Sequence, residues 1–165
     1  MPDALIERID RAGASLEALR ARVLDGAPWP LSERFGTEPE ASWGPPEVLA
    51  HVSEMLAFWR GELERILDAR VDPVPFGRVA TDPLRIGLIA RDRTLPPGLL
   101  FDRIAGDVEA WRHRLAALRE EDAVRRGAHP TLGELTAASM IERFVVGHLE
   151  EHVGQLERVL ADRAG

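Results

Sequence analysis

Apolar positions fall at helical spacing in four segments of the chain. The first, from about Asp3 to Leu24, places Leu5, Ile6, Ile9, Leu16, Leu19 and Val23 at steps of three and four, the pattern of one buried helix face. Asp25 and Gly26 stop it, and a Pro- and Gly-rich loop follows to Pro46. The second opens at Pro45-Pro46-Glu47, where proline suits the first turn and a carboxylate complements the positive helix end. It continues through Val48, Val52, Met55, Trp59 and Ile66 to about Ala69. The third begins near Gly98 and uses Leu100, Ile104, Val108, Trp111, Leu115 and Leu118. A turn, Arg126-Gly127-Ala128-His129-Pro130, precedes the fourth, which starts between Thr131 and Thr136 and runs to about Asp162. Thr131 with Glu134 spells a capping box, and Thr136 is an equally good cap.

Between the second and third helices, Val71 to Pro97 carries five prolines and one short helical run, Arg85 to Ala90. A connection this long inside a compact domain is usually functional or a crossover. No segment alternates over more than four or five residues, so no strand is expected. None of the four helices can bury its apolar stripe alone. The pattern therefore predicts an all-α fold, a four-helix bundle with a long loop between helices 2 and 3. A length of 165 residues suits a single domain over 1–165.

Composition narrows the chemistry. With 21 basic and 28 acidic residues the formal net charge is −7, which disfavours nucleic acid as a partner. Cysteine is absent, which excludes disulfides, Fe–S clusters and thiolate nucleophiles. Every one of the 21 basic residues is Arg, so Schiff-base and lysine-base chemistry are also excluded. No segment approaches the ~20 apolar residues of a membrane span. The first residues lack the basic start and apolar run of a signal peptide, and a cytoplasmic location is expected.

The histidines are set where a plain core would not put them. Steps of four and three along the fourth helix give Ile141, Val145, His148, His152, Gln155 or Leu156, and Val159, so two imidazoles four residues apart share the inward face. His51 lies on the inward edge of the second helix. Three neutral imidazoles directed at a bundle interior are costly to bury unless each nitrogen finds a partner. One divalent ion held by His51, His148 and His152 satisfies all three and leaves positions for water or substrate. Such an ion lowers the pKa of bound water toward neutrality. The zincin pattern fails, because Leu149 follows the first histidine of the pair. The di-iron carboxylate pattern fails as well, since no Glu has a His three residues later.

Other polar residues carry alternative readings. Glu54, three residues after His51, either accepts a hydrogen bond from a ligand ring, acts as a general base (the candidate catalytic residue), or is a solvated helix residue. Gln155 either orients water or is a buried polar filler, the latter preferred. His129 reads as a structural turn residue rather than a fourth ligand, and His113 as surface. Trp43, Trp59 and Trp111 read as core or loop anchors. Arg78, Arg85, Arg91 and Arg93 either face an anionic substrate or are simply solvated, with solvation the stronger expectation.

These residues resemble the DinB superfamily of DinB/YfiT-like four-helix metalloproteins. The resemblance rests on Trp43 ahead of Pro46-Glu47-Val48-Leu49-Ala50-His51-Val52-Ser53-Glu54, on the turn from Gly127 to Thr136, and on His148-Leu149-Glu150-Glu151-His152-Val153-Gly154-Gln155-Leu156. It implies an up-and-down bundle binding one divalent ion, zinc or nickel, through His51, His148 and His152. It further implies a metal-dependent enzyme, a hydrolase or a low-molecular-weight-thiol S-transferase, acting on a small molecule and commonly homodimeric. The competing expectation is a non-catalytic metal-binding or stress-associated dimeric bundle. Fold likeness alone does not choose between them.

Overall fold

The computed structural model describes residues 2–164. Helix α1 (Pro2–Ala18) breaks at Leu19 and continues as α2 (Arg20–Asp25), so the first expected helix is present in two pieces. Helix α3 spans Pro45–Asp68, with proline in its first turn as the sequence predicts. A short α4 (Pro83–Asp92) lies in the long connection, capped by the Asp82 side chain, which accepts from the Arg85 amide at 2.9 Å. Helix α5 covers Pro97–Ala116, followed by the single turn α6 (Glu120–Ala123). The last helix begins as α7 (Ala137–Ile141), passes through a π-helical turn at Glu142–Val146, and ends as α8 (Gly147–Ala164). Among the described residues no helix is long and apolar enough to cross a membrane.

Thr136 is the cap of α7, its hydroxyl accepting from the Ser139 amide at 3.1 Å. Thr131 and Glu134, the alternative capping pair, belong instead to a hairpin. Strand β2 (Arg126–His129) pairs antiparallel with β3 (Gly133–Thr136) and parallel with the two-residue β1 (Val74–Pro75), giving the order β1-β2-β3. No strand was expected, because strands this short do not develop a readable alternation. Gly133 turns the hairpin at φ 73°, a conformation that suits glycine.

The four long helices form the expected bundle. Each of α1 and α3 packs against both α5 and α8, so α1 stands diagonally across from α3, and α5 from α8. Arg20 bonds Asp102 while Arg112 meets Asp10, which sets α1 antiparallel to α5. Arg60 holds Asp107 and Arg114 holds Glu64, which sets α3 parallel to α5. His51 meets His152 while Trp59 stacks on Phe144, which sets α3 antiparallel to α8. The bundle runs up, down, down, up. Strict alternation, as implied by the family resemblance, gives way at α3 and α5 because segment 69–96 is long enough to return the chain to its starting end. The long connection is thus a crossover.

The core follows the predicted stripes: Ile9, Leu16, Val52, Met55, Ile66, Leu100, Ile104, Trp111, Leu115 and Leu156 are all buried. Burial of each such side chain contributes about 1.5–3 kcal/mol. Helix α3 departs from a one-faced stripe, since every residue from Pro45 to Leu56 is buried. Loops cover the side that solvent would otherwise reach. Buried Glu47 bridges them, accepting from the Ser32 amide at 2.9 Å and pairing with Arg93 at 2.9 Å.

Candidate metal centre

Helix α3 delivers His51 and α8 delivers His148 and His152 to one point. The Nε2 atoms of His51 and His148 lie 3.0 Å apart, and those of His148 and His152 lie 3.2 Å apart. The rings stand nearly edge-on to one another, at interplanar angles of 81–82°. The three sequence-predicted ligands therefore converge. The π-helical turn immediately before Gly147 buries both Val145 and Val146 ahead of the histidine pair.

A fourth donor comes from outside the helices. Glu40, on a 3-10 turn at Glu40–Ser42, places Oε2 at 3.8 Å from His51 Nε2, 3.6 Å from His148 Nε2 and 3.9 Å from His152 Nε2. One ligand atom from each of the four residues lies within 4.8 Å of all the others. Sequence reasoning missed Glu40, which sits in an aperiodic loop where spacing carries no information about inward direction. His129, weighed as a fourth ligand, is buried elsewhere: its ring stacks on Phe144 at 5.1 Å, and Thr131 bonds its Nδ1. His113 is exposed beside Glu109, as expected.

Each converging histidine is followed three residues later by a side chain that faces its other nitrogen. His148 Nδ1 lies 3.2 Å from Glu151, His152 Nδ1 lies 3.0 Å from the Gln155 carbonyl oxygen, and His51 Nδ1 lies 3.8 Å from Glu54. This is the i, i+3 adjacency of a helix surface, used three times. The recurring His-x-x-Glu/Gln spacing, present at His51, His148 and His152, is the signal in the sequence for these partners. Gln155 also donates its amide to the backbone carbonyls of Glu40 at 2.7 Å and Trp43 at 3.1 Å. It therefore fixes both a ring and the loop that carries Glu40, which is more than a polar filler does.

The tautomer with its protons on Nδ1, directed at these acceptors, leaves the Nε2 lone pairs of all three rings facing one another. Close approach of three lone pairs is repulsive unless a cation lies between them. At metal–nitrogen bonds of about 2.0–2.1 Å a tetrahedral ion separates its ligand atoms by about 3.3 Å, close to the spacing seen here. His51 Nδ1 and Glu54 Oε2 are both buried without a hydrogen-bond partner, an arrangement suited to a ring N–H directed at the carboxylate. The donor set fits a divalent ion.

Burial favours the neutral form of two of the rings, His51 and His152. Burial pushes His51 well below its ordinary pKa, with His152 and Arg85 adding to the effect. Burial, then the neighbouring His148, brings His152 down to about 4. Burial raises the Glu54 carboxyl against the opposing pull of Arg78.

The arginines of the crossover are not simply solvated. Arg85 is buried, pairs with Glu40, and donates to the Ala80 carbonyl at 2.8 Å. Arg78 pairs with Glu54 and lies 3.7 Å over the Phe58 ring. Arg93 serves Glu47, whereas Arg91 is solvent-facing beside Asp92. A cleft of about 140 Å³ opens beside the cluster, bounded by Arg78 and Arg85 and by the stacked rings of Trp59 and Phe144, 4.4 Å apart. Trp43 packs edge-on to His51 at 5.6 Å, and Trp111 donates to the Leu56 carbonyl at 2.9 Å, so the tryptophans anchor the core as expected.

No family model matches this chain. It is 28% identical over 142 residues to the uncharacterized protein YuaE of Bacillus subtilis, spanning 77% of this chain and 83% of YuaE. Its structure is similar to that of YfiT from Bacillus subtilis, with a TM-score of 0.64 at 16% identity over 96% of this chain and 89% of the other. YfiT is described as a probable metal-dependent hydrolase with an unusual four-helix bundle topology. The DinB/YfiT-like resemblance of the sequence holds at the level of the fold.

Proposed function

We propose that this protein is a metal-dependent enzyme of the hydrolase type, in which His51, His148 and His152 hold one divalent ion. The observation that supports this most directly is the convergence of three Nε2 atoms, that of His148 lying 3.0 Å from His51 and 3.2 Å from His152. Three imidazoles, with or without a carboxylate, suit zinc or nickel. When bound, the ion supplies Lewis-acid chemistry, lowering the pKa of the group it activates.

The chain's own residues do the rest. Gln155 and Glu151 orient the paired rings of α8 through their Nδ1 atoms. Glu54 stands behind the His51 ring rather than in the cleft, which favours an orienting role over that of a general base. Trp59 and Phe144 give the cleft an apolar wall, and Arg78 and Arg85 give its lining positive charge. A cleft of about 140 Å³ suits a small-molecule substrate. S-transfer from a low-molecular-weight thiol would use the same centre. We read the protein as cytoplasmic, and the homodimer expected from the resemblance is checked by its mass in solution.

One observation favours the competing, non-catalytic reading: Glu40 stands where a fourth ligand would close the site, and closed four-ligand sites are characteristically structural. Metal analysis of the purified protein tests the common premise. About one equivalent of zinc or nickel is expected per chain, lost in His51→Ala and His152→Ala and kept in His113→Ala. Equal retention in all three removes the assignment. Simple esters and amides, and thiols with electrophiles, then separate enzyme from passive binder.

A further inference from the structure

Glu40 raises a question of access. Its Oε2 faces the three Nε2 atoms, while its Oε1 pairs with Arg85, which donates from the crossover. Its backbone is not free to move away, because Gln155 holds the Glu40 carbonyl at 2.7 Å. Any release of the fourth position is therefore a rotation of the Glu40 side chain alone. Arg85 gives the rotated carboxylate a charged partner on the cleft side, so leaving the centre does not leave it unpaired.

The charge balance indicates what would take its place. Glu40 pairs with Arg85 and Glu54 with Arg78, so each of these two carboxylates already has a cationic partner. A divalent ion thus brings positive charge that neither pair is free to offset into a site whose His51, His152 and Glu54 side chains are all less than a twentieth exposed. Buried charge demands compensation. The cleft leading to it is bounded by Arg78 and Arg85, which draw in negative charge. A neutral ligand of the same size gains nothing from either feature.

We propose that Glu40 is a fourth, displaceable ligand of the three-histidine centre, and that the external ligands of the centre are small anions, carboxylates foremost, which enter the Arg78–Arg85 cleft and exchange with it. This rests on the metal-binding reading above and deepens it: the same carboxylate that closes the site at rest opens it when an anionic ligand arrives.

The test uses the full chain loaded with Co²⁺, whose visible absorption reports on its ligands. Acetate is titrated into wild type, Glu40→Ala and Glu40→Gln, with acetamide as the neutral counterpart. In wild type, acetate competes with a tethered carboxylate at millimolar or higher effective concentration. Removing that competitor is expected to tighten apparent acetate binding roughly tenfold or more, with acetamide silent in every protein. Equal acetate affinity in wild type and both variants overturns the proposal while leaving the centre itself intact. Loss of Co²⁺ from both variants overturns it too, because Glu40 would then be an obligatory ligand. A response to acetamide matching that to acetate overturns the anion selectivity. Failure of wild type to bind Co²⁺ at all removes this inference together with the reading beneath it. Should Glu40→Ala fold poorly by circular dichroism, Glu40→Gln, which keeps the side-chain volume and an oxygen for Arg85, carries the comparison.

Discussion

His51 Nε2 lies 3.0 Å from His148 Nε2, although 97 positions separate the two residues in the chain. Neither atom has a better partner. With the ring protons on Nδ1 the two lone pairs repel one another, and a cation between the rings would relieve that repulsion. Stability and ligation are therefore linked at this point, and several measurable consequences follow from the linkage.

The first concerns pH. Burial, reinforced by His148, lowers the folded-state pKa of His152 from 6.5 to about 4, and burial lowers that of His51 as well. Between these values the unfolded chain binds more protons than the folded one, so stability rises with pH there. The contribution is fully present above about pH 6.5 and is lost as pH falls toward 4. For His152 alone it amounts to about 3 kcal/mol. Denaturant unfolding of metal-free protein at pH 7.5 and pH 5 should show about 2 kcal/mol of this loss, and His152→Gln should reduce the difference. A wild-type curve as flat as that of the variant would contradict the assignment of a neutral buried ring.

The second concerns Gln155. Its amide spans His152 and the carbonyls of Glu40 and Trp43. Gln155→Leu keeps most of the volume but leaves two carbonyls and a ring nitrogen without their partner. The cost expected is about 1–3 kcal/mol in folding, and metal affinity should fall by about 10–100-fold. Competition against a chelator measures the second effect separately. Loss of stability with unchanged metal affinity would make Gln155 a purely structural residue.

The third distinguishes the two roles weighed for Glu54. Its carboxylate pairs with Arg78 and lies 3.8 Å from His51 Nδ1, on the side of the ring away from the convergence point. Glu54→Ala removes the partner of a nearly buried guanidinium and should destabilise the fold by about 3 kcal/mol. Glu54→Gln retains the shape and an acceptor for the ring, so metal affinity should fall by no more than about tenfold. If instead Glu54→Gln binds metal with wild-type affinity and abolishes turnover without shifting KM, the residue is the general base.

Much of this was readable from the chain. Apolar spacing located the four long helices, and prolines 45 and 46 marked the start of α3 within a residue. The His-x-x-x-His pair and His51 could be assigned inward faces because a helix fixes direction by arithmetic, and their convergence follows once those faces share a core. Residues outside regular helices had no such arithmetic. The hairpin of β2 and β3 was too short to show a period, and Arg78 and Arg85 looked like ordinary solvated charges of a loop.

The amino-acid order by itself determined the helical class, the removal of thiol and lysine chemistry, and the identity of the three imidazoles, since each depends only on residue type and local periodicity. Tertiary structure alone decided that α3 and α5 run parallel, that the crossover brings two arginines to the cleft, and that Glu40 faces the histidines. Those outcomes depend on where long connections return the chain, and the path of a loop is set by what it packs against rather than by its own sequence.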